Sequence, residues 1–163
     1  MATTTTDRTA TETVSADVAA RAAQFLTPVV VDLEALVVNG KQAHWHARGA
    51  NFIGIHELLD EVVEHAQEHA DTAAERVIAL GLPVDSRIST VAKKNTLPEP
   101  AAGFQSWEAT VAEVVGMIDA ALATVRAAIA GLDGDDVATQ DVAVEIERGL
   151  TKDRWLLQAH VSA

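Results

Sequence analysis

The chain has 163 residues, room for one domain and a tail but not for a large multidomain enzyme. Hydrophobic residues make up 48%, enough for a core, but aromatics supply only 4% and Tyr is absent, so Ala, Val and Leu must fill it. Absent Cys excludes disulfides and thiol chemistry, and a net charge of −12 disfavours a nucleic-acid surface while attracting cations.

Residues 1–14 are Thr-rich and read as a mobile tail ahead of a domain at 15–163. They hold no basic stretch followed by an apolar core, so no signal peptide is expected. Ser15 as N-cap and Asp17 in the first turn open a helix running to about His46. Its apolar stripe is Val18, Ala22, Phe25, Val29, Leu33, Leu36 and Val37, and Pro28 is expected to kink or split it. A turn at Gly49 leads to a second helix over about 53–80, with Leu59, Val62, Val63, Ala66, Ala70, Ala73 and Val77 inward and Gly81 and Pro83 as stop signals. Residues 81–105 hold three of the four prolines and predict a long connection with one short helix near 88–94. A third long helix spans about 106–130 and a fourth about 136–161. The predicted fold is all-α, a four-helix bundle of ferritin-like connectivity with a short helix between helices 2 and 3. No strand is expected. No apolar run nears the roughly 20 residues that span a bilayer, so the expected setting is cytoplasmic, with no membrane partner.

Five residues carry the chemistry: His44, His56, Asp60, Asp71 and Glu75. With His56 at zero on a helical wheel, Asp60 falls at about 40°, Asp71 at about 60° and Glu75 at about 100°, all on one face. His44 and His56 lie equally far from Ala50, so an antiparallel hairpin sets them level. Asp60 and Asp71 are about 16 Å apart along the helix, whereas metal–ligand bonds are about 2 Å. One chain therefore cannot close the site. Two antiparallel copies crossing near His65 and Ala66 bring His44, His56 and Asp60 of one against Asp71 and Glu75 of the other, twice per dimer. Mixed nitrogen and oxygen ligation suits iron and also accepts zinc or manganese.

The segments KQAHWHARG (41–49), FIGIHELLD (52–60) and HADTAAERV (69–77) resemble the Dps family, the starvation-induced mini-ferritins. The resemblance runs from about residue 15 to 161 and includes Arg148, Lys152 and Trp155 in the last helix. It implies a hollow homo-dodecamer built from two-fold dimers. Such a shell oxidises Fe(II) with hydrogen peroxide or dioxygen at intersubunit sites, two irons at each, and stores ferric oxide. It also implies a radical-quenching or packing role for Trp45 beside the iron, and negatively charged three-fold entry pores, here assigned to Asp141 and Glu145. The family's Lys-rich DNA-binding tail is not matched: residues 1–14 contain one Arg and no Lys, so direct DNA binding is not expected.

Two other readings compete. His65 and His69 form HAQEH, the pattern of inverted zinc peptidases, which would make the chain an amide hydrolase acting on N-acyl amino acids or peptides with Glu68 as general base. A purely structural helical oligomer would bind metal weakly and oxidise nothing.

Overall fold

The computed structural model describes residues 14–134 and 136–161. The expected tail, Asp135 and the last two residues fall outside that range. Four long helices form the bundle: α1 (Ala16–His46), α2 (Phe52–Ala79), α4 (Trp107–Gly131) and α5 (Val137–Ala159). The short α3 (Ile88–Lys94) lies in the connection between α2 and α4, as the spacing predicts. α1 packs most extensively on α2, α4 packs on α5, and α1 also contacts α4, so the core sits between two antiparallel pairs.

Ser15 caps α1 as expected, and Ser106 caps α4 in the same way. Ser15 accepts a hydrogen bond from the Val18 N–H at 3.3 Å, and Ser106 accepts one from Ala109 at 3.3 Å. Pro28 does not split α1, which runs unbroken for 31 residues. Proline removes one internal hydrogen bond, but Leu26, Val29, Val30 and Leu33 around it are completely or almost completely buried, and their packing outweighs that loss. Gly131 faces the Phe25 ring so closely that an added Cβ would stand 2.2 Å from it, so this helix end is shaped to receive Phe25.

Two expectations need correction. A pair of two-residue parallel strands exists, β1 (Ala47–Arg48) and β2 (Gln105–Ser106), with Ala47 opposite Gln105. They are too short for periodicity to register, and they arise because the turn after α1 runs beside the end of the long connection. Gly49, at φ 118°, lets the Trp107 ring close on that turn: a Cβ there would lie 2.9 Å from the Trp107 Cδ1. Second, α1 and α4 are, by length and composition alone, apolar enough to cross a membrane. About half of each apolar window, 50% and 44%, is buried inside the bundle, which accounts for that composition as core.

Buried polar groups clamp the elements together. Asp32 on α1, 1% exposed, accepts hydrogen bonds from the Thr96 N–H at 2.7 Å, the Thr96 hydroxyl at 2.8 Å and the Thr124 hydroxyl at 2.6 Å. One carboxylate thus ties the long connection to α1 and α4. At the other end, Arg76 donates to Asp136 at 2.5 Å and to the Thr139 hydroxyl at 2.9 Å, while Thr139 donates to Asp136. Burial pushes the Asp136 carboxyl up, but the bonds from Thr139 and Arg76 prevail and hold it below the ordinary value. A carboxyl depressed on folding stabilises above its unfolded pKa and loses that contribution as the pH falls through its folded pKa. Asp136→Asn is therefore expected to cost about 1–2 kcal/mol near pH 7, with the difference from the parent starting to shrink only below about pH 4 and fading as the pH falls through the folded-state pKa. Urea denaturation across pH measures it.

Candidate metal centre

The hairpin between α1 and α2 places His44 in the last turn of one helix and His56 in the first turns of the next. Their imidazoles stack with centroids 3.6 Å apart. Each Nδ1 meets the other residue's backbone carbonyl: His44 Nδ1 donates to the His56 oxygen at 2.7 Å, and His56 Nδ1 to the His44 oxygen at 3.1 Å. A carbonyl can only accept, so both Nδ1 atoms carry a proton, which leaves the Nε2 of each ring as the nitrogen open to a metal. His44 is buried, and that burial pushes its pKa below the usual histidine value against the opposing pull of the His56 carbonyl and Asp60. A neutral imidazole at pH 7 follows.

Asp60 stands with its carboxylate 3.3 Å from His44 Nδ1 and is ion-paired to Lys41. The Lys41 ammonium is the main cause that holds the Asp60 carboxyl below the ordinary carboxylate value. The hairpin therefore gathers His44, His56 and Asp60. It does not gather Asp71 and Glu75, which are exposed further along α2. As the side chains stand, among the described residues no three His, Asp or Glu groups converge closely enough to hold a metal within one chain. An open groove of about 540 Å³ runs beside the half-site, lined by Lys41, Asp60, Val63, Glu64, Gln67 and Glu68.

Trp45 is 62% exposed, and Asp141 and Glu145 are exposed on α5. His46 is taken up locally: its Nδ1 donates to the Gln42 carbonyl at 2.7 Å, and its ring tilts on Phe104. Phe104 also carries the Arg48 guanidinium 3.3 Å from its ring centroid.

The HAQEH motif divides between two surfaces. His65 Nδ1 bonds both oxygens of Asp153, at 3.0 and 3.1 Å, and His69 points its Nε2 at Gly149, so both imidazoles turn toward α5. Glu68 is exposed and lines the groove beside Asp60. The geometry of a hydrolytic base next to both histidines is not formed.

Sequence reasoning missed Lys41 and Asp153. Lys41 lies one turn before His44 on the same helix, a spacing that puts a cation beside any carboxylate brought to that histidine. Asp153 had no local signal, because its partner is 88 positions away.

Comparison with known proteins agrees at every scale. The family profile described as a ferritin-like domain matches residues 26–163. The solved structure of Dps from Microbacterium arborescens in the high iron form is similar with a TM-score of 0.88 and 61% identity, covering 91% of this chain and 97% of that one. Mycobacterium smegmatis Dps, in a tetragonal form, is similar with a TM-score of 0.89 at 26% identity, covering 94% of each chain. The DNA protection during starvation protein of Agrobacterium fabrum is 34% identical over 140 residues, 81% of this chain and 80% of that protein. With the ferritin-like profile spanning most of its length and these relatives covering it nearly end to end, the chain belongs to the Dps family of ferritin-like proteins.

Proposed function

We propose that this chain is the subunit of a ferroxidase and iron-storage shell whose sites form only between two copies. The observation that carries this reading is the locked pair His44 and His56 with Asp60 beside it, three donors that lack the rest of a coordination sphere. Asp71 and Glu75 supply the missing donors from the neighbouring subunit. Both are exposed on the same face of α2, about 16 Å and about 22 Å along the helix from Asp60, so a two-fold crossing of α2 helices near Ala66 satisfies both sites at once.

Iron is the substrate. Two Fe(II) ions each give one electron to hydrogen peroxide. Its O–O bond breaks, two protons are taken up and two waters leave, and the carboxylates favour the harder Fe(III) product. His44 and His56 present Nε2 to the metal, and Asp60, Asp71 and Glu75 balance charge. Trp45, next to His44 and exposed in the single chain, packs at the subunit contact and absorbs stray oxidising equivalents. Consuming Fe(II) together with peroxide protects DNA without touching it, in line with the net charge of −12. The shell is a cytoplasmic homo-dodecamer built from two-fold dimers. The test is to mix the protein with anaerobic Fe(II), add peroxide stoichiometrically, and follow oxidation and particle mass together. A monomer-sized particle that leaves iron ferrous rejects both claims.

Lys41 competes with iron for Asp60. Lys41→Gln is expected to tighten Fe(II) binding about 3- to 10-fold at pH 7, because removing a neighbouring positive charge favours a cation in its place. Anaerobic calorimetric titration of Fe(II) reads the change. Asp141 and Glu145, one turn apart on α5, are assigned to the iron-entry pore. Asp141→Asn with Glu145→Gln is expected to slow iron uptake several-fold while leaving oxidation at saturating iron intact, and an unchanged uptake rate removes the assignment.

A further inference from the structure

A second cluster of metal-binding side chains lies apart from the hairpin, where α2 packs on α5. His65 and His69 are one turn apart on the α2 face that meets α5, and Asp153 and Gly149 are one turn apart on the facing helix. The pairing is antiparallel, with His65 on Asp153 and His69 on Gly149. Asp153 is 1% exposed, and His65 is its one hydrogen-bonding side chain among the contacts of the described residues. A buried carboxylate facing two imidazoles is more than packing requires, since an apolar pair would fill this space at lower cost.

The geometry points to a mononuclear site for a borderline divalent cation such as Zn²⁺ or Co²⁺ within each chain, with His65, His69 and Asp153 as ligands. His65 Nδ1 already stands 3.0 and 3.1 Å from the two Asp153 oxygens. Two donors on one tetrahedral cation, with bonds of about 2.1 Å, stand about 3.4 Å apart, a few tenths of an ångström more. A cation replacing the Nδ1 proton thus finds two of its ligands in register. The third, His69, rests against Gly149 in the chain as described and must swing toward Asp153. Gly149 provides the space in which it rests: a Cβ there would stand 2.2 Å from the His69 Nε2. Two imidazoles and one carboxylate without sulfur form a ligand set for zinc, cobalt or ferrous iron rather than for Ca²⁺ or Mg²⁺. Lys152 is the nearby opposing charge, while Glu68 and Glu145 add negative potential.

The test uses the assembled protein carrying Asp71→Asn and Glu75→Gln, so that the intersubunit site is incomplete and the outcome does not depend on the iron reading. Zinc bound per chain is counted by equilibrium dialysis, and Co²⁺ is followed by its visible d–d absorption. His65→Gln keeps a donor for Asp153, and Asp153→Asn keeps the volume. Each, confirmed as folded by circular dichroism, is expected to bind one zinc fewer per chain than its parent and to lose the cobalt bands. His69→Gln, confirmed as folded in the same way, is expected to weaken zinc binding at least tenfold. Equal zinc stoichiometry in the parent and in His65→Gln overturns the site, as does a parent that binds no zinc.

Discussion

Two inactive variants, produced together in one cell, are expected to recover about a quarter of the wild-type ferroxidase activity. One variant carries His56→Gln and Asp60→Asn, the other Asp71→Asn and Glu75→Gln. Each alone should fall at least about a hundredfold, because loss of even outer-shell partners of a metal ligand costs 10–100-fold. In a mixed dimer one site combines both sets of lesions, and the other combines the intact histidine half of one chain with the intact carboxylates of its neighbour. Random pairing makes half the dimers mixed, and each mixed dimer has one working site of two. Sites closed within a single chain would yield no recovery at any mixing ratio. Asp60, Asp71 and Glu75 are exposed in the single chain, so their substitution should leave monomer stability within about 0.5 kcal/mol. Peroxide-dependent Fe(II) oxidation, followed by the rise of ferric absorbance, separates the outcomes.

The largest effect on stability is expected at Asp32, away from the proposed iron ligands. Asp32→Ala removes the acceptor for one backbone N–H and two hydroxyls at a position only 1% exposed. Hydrogen bonds to a charged group contribute about 1.5–3 kcal/mol each, and the Thr96 N–H would be stranded without water. Relief of the buried charge offsets part of the loss, and a net cost of about 3–4 kcal/mol is expected. That corresponds to a fall of about 10 °C in Tm. Asp32→Asn, which keeps one acceptor oxygen, should lose about half as much. If Asp32→Ala melts within 2–3 °C of the parent, the clamp does not hold the connection.

The bundle was legible because its signals are local. Ser15 as a cap, Gly81 and Pro83 as a stop, and the stripe from Leu59 to Val77 are read within a few residues of where they act, and α2 buries every member of that stripe except Val63, which is half-buried. The histidine half of the candidate site was legible for the same reason, since His44 and His56 flank one turn. What stayed hidden depends on distant partners. The Asp32 clamp joins residues 64 and 92 positions apart, the pairing of Ala47 with Gln105 has no periodicity to announce it, and Asp153 is assigned a partner only when α5 folds onto α2. Pro28 misled for a related reason: its local penalty is real, but burial of its neighbours decides the outcome.

The exchange of hydrogen bonds between His44 and His56 spans only 12 residues. Short loops close early and at small entropic cost, so this knot can tie while the later helices are still being made on the ribosome. If the site closes only between copies, as proposed, each newborn subunit arrives with half a socket finished and nothing able to cycle electrons through it. Docking, rather than synthesis, then becomes the moment at which the redox chemistry is armed.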